Sequence, residues 1–180
     1  MKRWMKGAVL GAVMGSGMAC MTTAALAQTT GQSDNLVATI SDWSVFTETK
    51  PKECWGVSSP KQTVNSRDGK PVSVKRSDIL LFVTFRPGQA GGETSFTGGY
   101  PFAPQSKVEL NVDGTKFDLV ANGEWAWSAN AEDDAKVLAA LKKGGSAILT
   151  ARSAKGTQTQ DTFSLRGFTA AMAEAGDRCK

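Results

Sequence analysis

The sequence predicts a mainly β domain, an antiparallel sandwich or partly open barrel carrying two short helices. Three observations predict it. Short runs with alternating apolar residues are separated by glycine- and proline-bearing turns. Only two segments have a helical period, 130–143 and 167–179. Strands and helices do not alternate, so a parallel βαβ sheet is not indicated.

The elements follow in order. "LVATISDWSVFTE" begins the strand pattern at Leu36, with Trp43 and Val45 on one face. "CWGVSS" reads as a short second strand. "KQTVNSRDGKPVSV" contains the turn or loop signal Arg67-Asp68-Gly69-Lys70-Pro71. "DILLFVTFR" is the most apolar run after the N-terminal segment and is expected as a central strand buried on both faces. "PGQAGGETSFTGGYPFAP" holds five glycines and three prolines in 18 residues, which predicts a long connection with a short strand at 93–96. In "KVELNVDGTKFDLVA", Asp113-Gly114 lies between two alternating runs, the mark of a tight hairpin. "GEWAWS" places Trp125 and Trp127 on one face of a strand.

The first helix is well punctuated. Asn130 is its cap, and Glu132, Asp133 and Asp134 load the first turn, where the helix dipole favours negative charge. Val137, Leu138 and Leu141 form its apolar stripe. Lys142, Lys143 and the pair Gly144-Gly145 close it. Two strands are expected around Lys155-Gly156, the second burying Phe163 and Leu165. In the last helix Thr169 is a candidate cap, and Phe168, Met172, Ala175 and Cys179 share one inward face.

Residues 1–27 read as a secretory signal peptide. Lys2, Arg3 and Lys6 precede an apolar stretch, and Ala25-Leu26-Ala27 supplies a cleavage motif before Gln28. The apolar run is interrupted and shorter than the ~20 residues of a spanning helix, so no transmembrane anchor is expected after cleavage. Cys20 follows Gly17 by three positions rather than a leucine-like residue, which disfavours a lipoprotein signal. Residues 28–35 are polar and read as a flexible tether, and 36–180 as a single domain. Localisation is therefore expected to be periplasmic or secreted.

The 180 residues carry 21 basic and 17 acidic side chains; without the signal's three basic residues, 18 and 17 remain. A near-neutral chain gives no case for nucleic-acid binding, which needs a clustered basic patch.

The chain has no histidine. Histidine-dependent triads and the commonest zinc ligand are thereby removed. Cys54 and Cys179 stand 125 positions apart without a CxxC motif, so neither a metal site nor a thioredoxin-like centre is expected. A reactive Cys179 thiol between Arg178 and Lys180 is the alternative to a disulfide. An even cysteine count in an exported chain favours the bridge. No catalytic residue, cofactor or metal is assigned.

The candidate binding surface is Tyr100 and Phe102, in the glycine-rich connection, with Trp125 and Trp127 as a stacking platform for a sugar or peptide. For the tryptophans, core filling on an inward sheet face is the competing expectation. Lys75, Arg76 and Asp78 read as a solvated strand end rather than an anion site, and "GTQTQDT" as an exposed strand.

Several stretches together carry a family resemblance: "DWSVF", "PKECWGVSSP", "ILLFVTFRPG", "ETSFTGGYPFAP", "GEWAW", "EDDAKVLAALKKG" and "GTQTQDTFSLRGFTAAMAEAGDRC". The chain resembles the invasion-associated locus B family of alphaproteobacterial exported proteins over about residues 36–179. The resemblance implies a β-rich periplasmic or outer-envelope protein, with cysteines at the positions of Cys54 and Cys179. It carries over no catalytic residues. The functional expectation is a non-enzymatic envelope module presenting loops near 91–104 to an envelope or host protein or glycan, with a role in host-cell invasion or envelope integrity. A purely structural envelope component is a further reading. The enzymatic alternative is a carboxylate-based hydrolase of envelope polysaccharide, built on Glu93 or Glu124 paired with another acid beside Trp125.

Overall fold

A computed structural model describes residues 35–180. The expected signal peptide at 1–27, Cys20 within it, and residues 28–34 of the expected tether lie outside the described residues.

The alternating runs become strands, as their periodicity dictates. They are β1 (Leu36–Ile40), β2 (Trp43–Thr49), β3 (Lys52–Ser58), β4 (Gln62–Arg67), β5 (Lys70–Pro71) and β6 (Leu80–Phe85). They continue as β7 (Glu93–Thr97), β8 (Lys107–Val112), β9 (Thr115–Asn122), β10 (Trp125–Trp127), β11 (Ser146–Arg152) and β12 (Gln158–Ser164). Two helices complete the order, α1 (Ala131–Lys143) and α2 (Phe168–Arg178).

All the strands join one antiparallel sheet in the order β1-β2-β3-β6-β7-β10-β9-β8-β11-β12-β4-β5. The sheet is rolled without being closed. Phe96 of β7 and Phe163 of β12 lie five strand spacings apart, about 24 Å on a flat sheet. Their rings nevertheless meet edge to face at 6.2 Å. The curvature brings one face of the sheet onto itself, which gives a single-sheet domain a core. That core holds Trp43, Val45, Leu81, Val83, Phe96, Leu110, Leu149 and Phe163, all fully buried.

Both helices cover the concave side. On α2, Phe168 meets Trp43 edge to face at 4.9 Å. Met172 rests over Gly56 of β3, where an added Cβ would come within 2.1 Å of its terminal methyl. At the end of α2, Cys179 is bonded to Cys54 of β3, with Cα atoms 5.7 Å apart. The disulfide expected from the cysteine count is therefore present, and the thiol alternative falls. On α1, Asn130 caps the first turn by accepting from the Asp133 N–H at 3.0 Å. Asp134 accepts the Thr94 N–H at 2.8 Å, fixing the helix to β7. Thr169 does not cap α2, whose N-cap is Gly167. Its hydroxyl donates instead to the Lys142 carbonyl at 3.1 Å, capping the end of α1 from the neighbouring helix.

The Asp113-Gly114 hairpin forms as expected. Val112 pairs with Thr115, and both turn residues have positive φ, 45° and 97°, the geometry of a two-residue type I′ turn. Elsewhere the structure is finer-grained than the sequence indicated. "LVATISDWSVFTE" is split by a turn at Ser41, φ 55°, into the hairpin β1–β2. Residues 62–71 form the hairpin β4–β5. "DILLFVTFR" is not buried on both faces: Leu81 and Val83 are fully buried, while Leu80, Phe82 and Thr84 are half-buried on the convex side. Both helices occupy the concave side, so only one face of β6 is covered.

The chain path between β3 and β6 is the distinctive step. After β3 it leaves for the far edge and makes β4 and β5 beside β12. It then returns through a strap, residues 72–79, to pair β6 with β3. The strap bridges the two ends of the rolled sheet. Among the described residues, no helix is long and apolar enough to cross a membrane.

Candidate functional site

The sequence-expected binding residues fall into two separate places. Trp125 and Trp127 flank Ala126 in β10, and Ala126 is the fully buried one. Strand alternation therefore sends both indoles to the convex face. Core filling is overturned for this pair by that inward alanine. The two indoles stack on each other, 6.3 Å between centroids and 22° between planes. Phe82 of β6 lies 5.6 Å from Trp125. Farther along the same face, Trp55 of β3 stacks on its cross-strand partner Phe46 of β2 at 5.7 Å and 9°. Val120 of β9 pairs with Trp127 and is half exposed. The convex side thus carries an aromatic band across β2, β3, β6 and β10, with Trp125 37% exposed. Alternation within one strand has no means to show that Phe46, Trp55 and Phe82 join this band.

Tyr100 and Phe102 do not extend it. Phe102 is buried, 6.0 Å from Phe96 and 5.3 Å from Tyr100. Its backbone bridges to Ser153, which leaves it no exposed role. The glycine-rich connection is correspondingly not a free loop. Residues 93–97 are a strand whose inward side chains are buried. Beyond it, Gly99 accepts a hydrogen bond from the strap's Ser77 N–H at 3.0 Å.

Tyr100 belongs instead to a polar nest beneath the strap. Its hydroxyl hydrogen-bonds Thr159 of β12, and its ring lies 5.0 Å from the Arg76 guanidinium. Arg76 is not the solvated strand end that the sequence predicts; its side chain is only 6% exposed. It makes a bidentate pair with Asp161 of β12, at 2.8 and 2.6 Å. It also donates to the Gly98 carbonyl at 2.8 Å and to Asn65 of β4 at 3.3 Å. "GTQTQDT" is therefore only half exposed: Gln158 and Gln160 face out, while Thr157, Thr159 and Asp161 face the interior. Burial pushes the Asp161 carboxyl up, against the pull of the Arg76 guanidinium. Burial likewise raises the Tyr100 phenol.

Outside this nest the strap, the loop at 100–101 and the β11–β12 turn border a cleft of about 330 Å³. Arg67 stands at its edge with its guanidinium held by Thr157 Oγ1 at 2.8 Å.

The residues named for a hydrolase are placed differently. Glu93 lies against Arg86 at 3.4 Å, and Glu124 is exposed in the turn between β9 and β10. Asp133 and Glu132 pair with Lys136 at 3.4 and 2.8 Å. The described carboxylates give the hydrolase alternative no support.

A rolled, unclosed antiparallel sheet, helices on its concave side and a disulfide from β3 to the last helix define a small disulfide-tied β-roll protein. Residues 43–176 match the model of the family described as "Invasion associated locus B (IalB) protein". The chain belongs to this family. Among solved structures, the crystal structure of invasion associated protein B from Bartonella henselae is similar in fold, with a TM-score of 0.54 at 18% identity, covering 78% of this chain and 95% of that one. A sequence comparison with curated proteins found no match.

Proposed function

We propose that this chain is an exported, non-catalytic binding protein of the cell envelope, engaging a protein or glycan through its convex aromatic face. The observation that carries the reading is the outward Trp125–Trp127 stack, joined by Phe82 on the adjoining part of the face. Aromatic rings offer large contact area with few rotatable bonds, and Trp is enriched where binding energy concentrates. The family description names no reaction, and the chain lacks histidine.

Export rests on the features of residues 1–27 and on the Cys54–Cys179 bridge, since such bonds persist in oxidising compartments. A role in host-cell invasion or envelope integrity is the biological setting suggested by the names of the family and of the Bartonella protein.

The test is capture of envelope protein and glycan fractions on the immobilised wild type and on a Trp125→Ser/Trp127→Ser variant. The variant should keep the wild-type melting temperature within a few degrees and lose the captured partner. Equal capture by both forms would sink the reading. Intact mass of the exported chain should correspond to a start at Gln28 with 2 Da missing for the disulfide.

A further inference from the structure

The cleft bordered by the strap shares no residue with the aromatic face, and its chemistry differs. Four cationic side chains border it: Arg67 at the end of β4, Lys75 and Arg76 in the strap, and Lys155 in the β11–β12 turn; the Arg76 charge is already met by Asp161, which leaves three. Among the described residues no carboxylate lines it. Asp161, behind Arg76, is fully buried and paired with it. Lys75 and Lys155 are exposed and have no ion-pair partner among the described residues. Cationic side chains gathered around one cleft without a lining counter-charge give it a positive potential, which favours an entering anion.

The walls between these cations are apolar: Val74, Pro101, Ala154 and the Tyr100 ring. Their positions are set before any ligand arrives. Tyr100 is held by Thr159 and by the Arg76 guanidinium. Arg76 is itself fixed on Asp161, Asn65 and Gly98. Arg67 is oriented by Thr157. The Arg67 guanidinium and the Tyr100 ring are therefore in place before an anion enters, which lowers the entropy cost of binding there. The volume, about 330 Å³, lies at the small end of ligand sites.

We propose that this cleft is a binding site for a small organic anion, a carboxylate or phosphate monoester on an apolar body. The charged group meets Arg67, Lys75 and Lys155, and the body lies against Tyr100, Val74 and Pro101. Arg76 takes no direct part; it positions Tyr100 and neutralises Asp161 so that the cleft stays positive.

Titration calorimetry on the mature protein tests this with phenyl phosphate, inorganic phosphate and phenol. Phenyl phosphate should bind most tightly, at one site per chain, and weaken when sodium chloride is raised from low to 0.5 M-scale concentrations. The double variant Lys75→Glu/Lys155→Glu should weaken it by about tenfold or more while leaving the melting temperature unchanged, because both side chains are exposed. The same charge change at Lys142 and Lys143, on α1, should leave binding as in the wild type. Absence of phenyl phosphate binding, equal affinity for inorganic phosphate, or equal loss in the α1 variant would each overturn the proposal. A benzoate arm then separates the two anion types: binding within tenfold of phenyl phosphate marks a carboxylate site, and weaker binding a phosphate site.

Discussion

Arg76 and Asp161, 85 positions apart, meet in a bidentate ion pair at 2.8 and 2.6 Å with both side chains almost wholly removed from water. The pair joins the strap to β12 and so ties the returning chain to the far end of the sheet. Removing one partner leaves a buried, uncompensated charge, which typically costs about 3–5 kcal/mol. Arg76→Met and Asp161→Leu should each destabilise on that scale, while the double variant should recover a large part of the loss. Urea unfolding of the four proteins gives the cycle. A double variant as unstable as the sum of the singles would show that the two side chains act independently.

The disulfide should contribute on the scale of a large buried core side chain. It closes a separation of 125 residues, for which the chain-entropy account gives roughly 5 kcal/mol, an upper figure. Cys54→Ser/Cys179→Ser is expected to lose about 2–5 kcal/mol, and dithiothreitol should lower the wild-type melting temperature to near that of the variant. A variant that melts with the oxidised wild type would place the stability of α2 elsewhere, in Phe168 and Met172.

Gly99 and Gly69 separate backbone strain from crowding. Both have positive φ, 72° and 74°. An added Cβ at Gly69 meets nothing within 4 Å, whereas at Gly99 it falls 2.6 Å from the Ser77 carbonyl oxygen of the strap. Gly69→Ala should cost about 1–2 kcal/mol, the left-handed penalty alone. Gly99→Ala should cost clearly more, because the strap must move away. Equal melting temperatures for the two variants would mean that the strap yields freely.

Acid should weaken the β8–β9 hairpin's hold on β11. The Asp113 carboxylate accepts the Gly145 N–H at 2.7 Å and is bonded by Ser146, and these donors hold its pKa below the usual carboxylate range. A carboxylate whose folded pKa is depressed contributes stability above its unfolded pKa, near 4, and loses it as the pH falls through the folded value. Melting temperature against pH should therefore fall below about pH 4, and Asp113→Asn should be less stable at neutral pH with a shallower acid limb. An identical acid limb in the variant would assign the loss to other carboxylates, such as Asp42 and Glu48, which are also lowered.

Local features of the fold were legible along the chain because their causes are local. Asp113-Gly114 needs two positive φ values, and that residue pair supplies them cheaply. Asn130 followed by three acids caps and charges a helix start whatever it packs on. The helical spacing of Phe168, Met172, Ala175 and Cys179 put them on one face, and all four are buried.

Strand alternation also placed Trp125 and Trp127 together, but it is symmetric: it says which side chains share a face and leaves open which face is inside. The rolling of the sheet decided that, turning Ala126 inward and the indoles out. The same roll drew the Trp43 indole N–H to the Ser164 carbonyl at 3.0 Å, across eight strand spacings that would measure about 38 Å if flat. The sequence by itself thus determined the β class, the two helices, the Asp113-Gly114 hairpin turn and the cysteine pair, all set by short-range sterics, capping and composition. Only the tertiary structure decided the crossing of the strap, the burial of Arg76 on Asp161, the convex aromatic band and the cationic cleft. Each of these needs residues dozens of positions apart to meet, and long-range pairing is fixed by the packing of the whole core.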